Sequence, residues 1–139
     1  MILLDTNVVS EAMKAQPGAA VRDWLNDQAS ETLVLCSVTL AAIEFGIETL
    51  PAGRRKNALK VALEGWMSLF DARVLPFDAE AAHHYAKLAS RARAAGRGVS
   101  LADGYIAAIA SARALTVATR DAAPFLATGV NVINPWTAP

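Results

Sequence analysis

Ile2-Leu3-Leu4-Asp5-Thr6-Asn7 decides the reading of the fold: a short apolar run that ends on an acid. Brief apolar runs return at Leu33-Val34-Leu35, Val74-Leu75, Thr116-Val117-Ala118 and Val130-Asn131-Val132-Ile133, each reading as a strand, with longer segments of helical periodicity between them. Strands separated by helical crossovers predict an α/β fold, a parallel sheet covered on both faces. Between the first two runs, Pro17-Gly18 separates two helices, the second carrying Val21, Trp24 and Leu25 at helical spacing. Leu40, Ile43, Ile47 and Leu50 share one face of a helix predicted over 38–50, which Pro51 ends. A further helix runs through Leu59, Leu63 and Trp66. Another, over 79–95, is alanine-rich, with Lys87, Arg91 and Arg93 on its polar side and Gly96 and Gly98 marking its end.

The 139 residues, 54% of them hydrophobic, predict a single domain, 1–139, with ample material for one buried core. Charges break every apolar stretch before the roughly 18 to 20 residues that span a bilayer. Asp5 also interrupts the first run too early for a secretory segment, so a cytoplasmic location is expected. Cys36, the single cysteine, follows an apolar strand and reads as a small buried hydrophobe. A formal net charge of zero and a pI near 6.7 give no global attraction to nucleic acid and leave that task to local basic patches.

In open α/β sheets, ligands bind beyond the carboxyl ends of the strands, where strand order reverses. Asp5 ends the first apolar run, Asp121 lies just past the fourth, Glu44 is in the helix after the second, and Asp103 opens the helix before the fourth. Separate segments therefore deliver acids to one edge. Each acid also has a structural explanation: Asp5 as a helix cap, Asp103 as the far half of a capping box with Ser100, Asp121 as an N-cap ahead of Pro124, and Glu44 as a boundary carboxylate with its tip in water. Context favours a ligand. The segment Gly104-Tyr105-Ile106-Ala107-Ala108-Ile109-Ala110 is apolar on nearly every side, and no lysine or arginine lies within a helical turn of Asp103 or Asp5. Buried charges without a partner cost several kcal/mol each, roughly, and a divalent cation offsets that cost. Oxygen ligands alone select a hard ion, Mg2+ or Mn2+, over zinc. His83 and His84 project about 100° apart on a helix and make a poor joint ligand set, so they read as surface and core edge.

Taken together, Ile2-Leu3-Leu4-Asp5-Thr6-Asn7, Ile43-Glu44-Phe45-Gly46-Ile47, Leu101-Ala102-Asp103-Gly104-Tyr105-Ile106-Ala107, Val117-Ala118-Thr119-Arg120-Asp121 and the closing Asn134-Pro135-Trp136 resemble the PIN-domain ribonucleases. Within them the likeness is to the VapC-type toxins of bacterial toxin–antitoxin pairs, in the FitB-like branch, nearly end to end. The resemblance implies a three-layer sandwich with a five-stranded parallel sheet of order 3-2-1-4-5 and about seven helices. It implies Asp5, Glu44, Asp103 and Asp121 as the catalytic acids, with Asp5 and Asp103 on the metal and Glu44 and Asp121 reaching it directly or through water. Thr6 and Thr119 would be hydroxyls that orient the acids, and Asn7 a further support. The implied activity is single-strand-specific RNA endonuclease cleavage that leaves a 5′-phosphate and a 3′-hydroxyl. Basic side chains available to grip RNA are Arg54, Arg55, Lys56 and Lys60, or Lys87, Arg91, Arg93 and Arg97, although a solvated helix face explains each of them equally simply.

The alternative is a catalytically idle PIN-like module that binds RNA or a partner; retention of all the acids argues against it. A response-regulator receiver needs an adjacent acidic pair after the first strand, and here Asp5 is followed by Thr6. A haloacid-dehalogenase phosphatase needs D-x-D-x-T, and position 7 is Asn. The resemblance further implies a homodimer, with Trp24, Trp66 or Trp136 as candidate anchors, and an adjacently encoded, DNA-binding antitoxin. An arginine of that partner would suit the acid cluster. Its amphipathic helix is expected in an apolar groove along the helices containing Val21-Trp24-Leu25 and Leu59-Leu63-Trp66.

Overall fold

The structure, a computed structural model, describes residues 1–70 and 73–138. Strands β1 (Ile2–Leu4), β2 (Leu33–Cys36), β3 (Val74–Leu75), β4 (Thr116–Ala118) and β5 (Val132–Ile133) alternate with helices α1 (Thr6–Ala12), α2 (Ala19–Asp27), α3 (Ser37–Glu48), α4 (Arg54–Leu69), α5 (Ala79–Ala94), α6 (Leu101–Ala112) and α7 (Ala122–Ala127). Every strand pair is parallel and the order is β3-β2-β1-β4-β5, the arrangement implied by the resemblance. No described helix is long and apolar enough to cross a membrane.

Period-2 alternation in the strands sorts the core into two layers. Leu3, Val34 and Val117 face one side and pack with Ala81 and Leu88 of α5, Ile106 to Ala110 of α6, and Phe125 of α7. Leu4, Leu33, Leu35 and Ala118 face the other side, against Val8 and Val9 of α1, Val21 and Trp24 of α2, Ile43 and Ile47 of α3, and Leu63 and Phe70 at α4. Both faces are thus dry, as a parallel sheet requires.

Two helix ends follow one rule. At α5, Gly96 takes a positive φ of 73° while Arg97 N–H donates to Ala92 O (2.7 Å) and Gly96 N–H to Arg93 O (3.0 Å). At α7, Gly129 (φ 81°), Val130 N–H to Phe125 O (3.3 Å) and Gly129 N–H to Leu126 O (3.1 Å) repeat the pattern. This left-handed glycine closure satisfies the last helical carbonyls. It also explains why β5 is shorter than the apolar run from Val130: Val130 is committed to closing α7, and pairing with β4 begins only beyond it.

The short 3-10 turn at Ser30–Thr32 was not expected from the sequence. Arg73 ties it down, its guanidinium donating to Ser30 O, to Leu33 O (2.9 Å) and to Leu69 O at the end of α4, over the Phe70 ring (5.1 Å to its centroid). Helices α2 and α4, expected to flank a partner's groove, turn different residues inward and outward. Val21, Trp24 and Leu63 are buried in the second core layer, so they are not available to a partner. Leu25 and Trp66 remain on the surface, lining a cleft of about 420 Å3 with Leu69, Phe70 and Arg73. Cys36 is fully buried, its thiol on Thr39 Oγ1 at 3.6 Å. His83 is exposed, and His84, at the core edge, meets Ser111 Oγ through Nδ1 (2.9 Å).

Candidate functional site

The register of β1 with β4 sets Leu4 beside Ala118, so the next residues, Asp5 and Thr119, leave the sheet side by side. Asp5 N–H donates to Ala118 O (3.0 Å) and Thr119 N–H to Ile133 O (2.9 Å), which holds both at the carboxyl edge where the two halves of the sheet diverge. Both are buried; Asp5 is only 5% exposed. The Thr119 hydroxyl donates to Asp5 Oδ2 (2.8 Å) and accepts from Asn7 Nδ2 (3.2 Å) and from the Asp121 backbone N–H (3.1 Å). A hydroxyl has one proton and two lone pairs, so Thr119 is saturated and its orientation determined. Asn7 Oδ1 in turn accepts from the Arg120 backbone N–H (3.2 Å), tying α1 to the β4–α7 turn.

The Thr6 backbone N–H donates to Asp5 Oδ1 at 2.8 Å; its hydroxyl, expected to orient the acids, is not among the described hydrogen bonds. Asp5 therefore does cap α1. Burial pushes its carboxyl above 3.8. The hydrogen bonds from Thr119 and Thr6 oppose that shift, and the charges of Asp103 and Asp121 reinforce it. Asp103 and Asp121 thus act electrostatically on Asp5.

The capping roles leave the other two carboxylates uncommitted. Ser100 Oγ accepts from Asp103 N–H (3.2 Å), half of the predicted box; the return contact from the Asp103 carboxylate is not among the described hydrogen bonds. Asp121 occupies the N-cap position of α7 without a side-chain cap bond. Neither of them, nor Asp5, forms an ion pair with a described cation.

Glu44 stands exposed on α3, where it lines a cleft of about 400 Å3 with Ile47, Glu48, Lys60, Leu63 and Glu64. Among the described residues no three Asp, Glu, His or Cys side chains are grouped closely enough to hold one ion. The edge therefore brings Asp5, Asp103 and Asp121 into one electrostatic neighbourhood, and no described contact brings Glu44 to them. What the edge offers a hard cation is the chemistry of its donors, carboxylate oxygens of Asp5, Asp103 and Asp121 that make no described ion pair.

Of the basic residues singled out, Lys60 shares the Glu44 cleft but lies 3.4 Å from Glu48, and Lys56 donates to Glu48 O (3.1 Å). Arg97 lines a separate cleft with Asp121. Arg120 was not singled out in the sequence; its guanidinium lies 5.0 Å from the Trp136 ring centroid. Its place between Thr119 and Asp121 was the available signal.

The PIN domain family model matches residues 2–130. The chain is 47% identical over 137 residues to VapC ribonuclease Y4jK of Sinorhizobium fredii, covering 98% of each. It is 45% identical to Toxin FitB of Neisseria gonorrhoeae, covering 98% of this chain and 99% of that one. It superposes on a chain of the crystal structure of FitAcB from the same organism with a TM-score of 0.94, covering 99% and 100%. A chain of VapBC-5 from Mycobacterium tuberculosis, a member of the VapBC family of toxin-antitoxin systems, matches at 27% identity and a TM-score of 0.69, covering 95% and 96%.

Proposed function

Since the chain belongs to the PIN-domain family, in the group of the VapC and FitB proteins, we propose that it is a metal-dependent, single-strand-specific endoribonuclease and the toxin of a toxin–antitoxin pair. The observation that carries this reading is the buried Asp5 carboxylate, clamped by Thr119 and Thr6 and set among like charges with no described cation to offset them.

Asp5 and Asp103 would hold Mg2+ or Mn2+, with Asp121 and Glu44 engaged directly or through water. The bound ion would supply charge neutralisation at the scissile phosphate and lower the pKa of a coordinated water. The residues of the chain supply the rest. Thr119 and the Thr6 backbone each hold one oxygen of Asp5 in place, so the carboxylate needs little reorganisation on binding. Asn7 braces Thr119 and the turn that carries Asp121. A carboxylate left free of the ion accepts the proton of the attacking water. The bond cut is P–O3′, leaving a 5′-phosphate and a 3′-hydroxyl.

A free ribonuclease endangers the cell that makes it, so a cognate antitoxin completes the proposal. The apolar cleft lined by Leu25, Trp66, Leu69 and Phe70 suits an amphipathic segment, and the acids suit an arginine that pairs with two carboxylates at once. A homodimer is also proposed. The deciding experiment incubates purified protein with a panel of RNAs, with EDTA, Mg2+ or Mn2+, and maps the ends produced. Metal-dependent internal cleavage is expected; RNA binding without cleavage under any metal would leave only an idle binding module.

A further inference from the structure

The cleft shared by Arg97 and Asp121 has a volume of about 580 Å3 and opens between the α5–α6 connection and α7, with Val99, Pro124 and Leu126 among its walls. We propose that it is a nucleotide subsite: it receives the base of the nucleotide next to the bond being cut, while Arg97 holds the adjoining phosphate. This rests on the ribonuclease reading of the acids.

Three observations support it. The cleft reaches Asp5 through Asp121, which lines it and whose backbone N–H donates to the Thr119 hydroxyl (3.1 Å) that in turn donates to Asp5 Oδ2 (2.8 Å), so a strand whose scissile phosphate lies at Asp5 passes its neighbouring nucleotide toward this cleft. Its size lies in the range of small-ligand pockets, and its apolar walls, including the 60% exposed Leu126, suit the flat face of a base. Arg97 is the one cation among the residues lining it, and its guanidinium makes no described ion pair, unlike Lys60 beside Glu44. The position of Arg97 is also determined in advance. Its backbone N–H closes α5 on Ala92 O (2.7 Å), and three residues later Ser100 caps α6, so little backbone order is lost when a phosphate is gripped. A base-and-phosphate occupant is favoured over a protein segment by this pairing of a cation that makes no described ion pair with an apolar wall beside Asp121.

The test compares wild type with Arg97→Gln and with Ala123→Trp, which fills the cleft from the exposed start of α7. Folding is checked by thermal melting. Fluorescence anisotropy with a single-stranded oligoribonucleotide in EDTA gives Kd across a salt series, and cleavage in Mn2+ gives KM and the choice of sites. Both variants are expected to raise Kd or KM about three- to tenfold. Arg97→Gln should also lower the slope of log affinity against log salt by about 0.7, the value for one lost contact to a single strand. Ala123→Trp should shift which sites are cut. If wild type cuts RNA and both folded variants match it in affinity, salt slope and cleavage pattern, the subsite proposal is overturned and the ribonuclease reading stands. Variants that bind RNA normally but lose a co-expressed partner overturn it in favour of a protein surface. If wild type neither binds nor cuts RNA, the ribonuclease reading itself fails, and this proposal with it.

Discussion

Asp5 is a carboxylate buried at the sheet edge, and the consequences of that burial are measurable. Burial, reinforced by Asp103 and Asp121, raises its carboxyl above 3.8. Below about pH 4 folded and unfolded chains both hold this proton, so the stabilising effect of protonation is complete there. It is lost as pH rises through the raised folded value, because only the folded chain resists giving the proton up. Asp5→Asn carries no such charge. Urea titrations in EDTA should therefore show the variant gaining on wild type as pH rises above 3.8 through the raised folded value; an unchanging difference would contradict this account of Asp5. In Mn2+ the order reverses, since the ion stabilises wild type in proportion to its occupancy and the variant hardly at all, and RNA cleavage by the variant should be lost. Thr119→Val is expected to cost about 1–3 kcal/mol by leaving the Asp121 N–H and the Asn7 amide without their acceptor. It should also lower metal affinity or cleavage by about 10- to 100-fold, as loss of an orienting hydrogen bond does. Thr119→Ser, which keeps the hydroxyl, should restore most of both, and chemical denaturation with cleavage rates checks the pair.

At the scale of elements, the placement of Asp103 depends on how closely α6 approaches α5. Gly104 permits that approach: a Cβ there would stand 2.7 Å from Tyr85 Cε1, and the Tyr85 ring is itself held edge-on to Tyr105 with centroids 4.9 Å apart. Gly104→Ala should therefore destabilise the fold by about 1–3 kcal/mol through overpacking. Gly98→Ala, with nothing within 4 Å of the new methyl, should be close to neutral. Equal melting temperatures for the two variants would remove the close approach as the reason for glycine at 104. The helices themselves were largely legible in advance, since α3, α4 and α5 show apolar periodicity and α3 and α5 end near Pro51 and Gly96. The 3-10 turn was not, because it is held by Arg73 from some 40 positions away rather than by any local signal.

For the whole molecule, the second core layer takes Trp24 out of consideration as an interface anchor, leaving Trp66 and Trp136 half-buried, the former stacked on Phe70 and the latter under Arg120. Exposed Phe45, at 73%, is a better place to look for the contact between copies. A homodimer is expected by light scattering at tens of micromolar; a monomer would count against it. Co-expression with the product of the neighbouring reading frame should end growth arrest and yield a complex. The complex should be weakened by Trp66→Ala, because Trp66 walls the apolar cleft while its neighbour Leu63 is already in the core. Unchanged co-purification would place the partner elsewhere.

By itself the sequence determined the alternation of strands and helices, the identity of the acids and the family likeness, since hydrophobic period, turn residues and short motifs are local properties. Only the tertiary structure decided that Thr119, Asn7 and Asp5 form one hydrogen-bonded unit across more than 110 positions, that Thr6 serves through its backbone, that Asp5 is buried while Glu44 is exposed, and that Arg97 shares a cleft with Asp121. The reason is physical: hydrogen-bond partners, burial and cleft walls depend on which segments the parallel register of β1 with β4 sets side by side, and that register arises from packing both faces of the sheet at once.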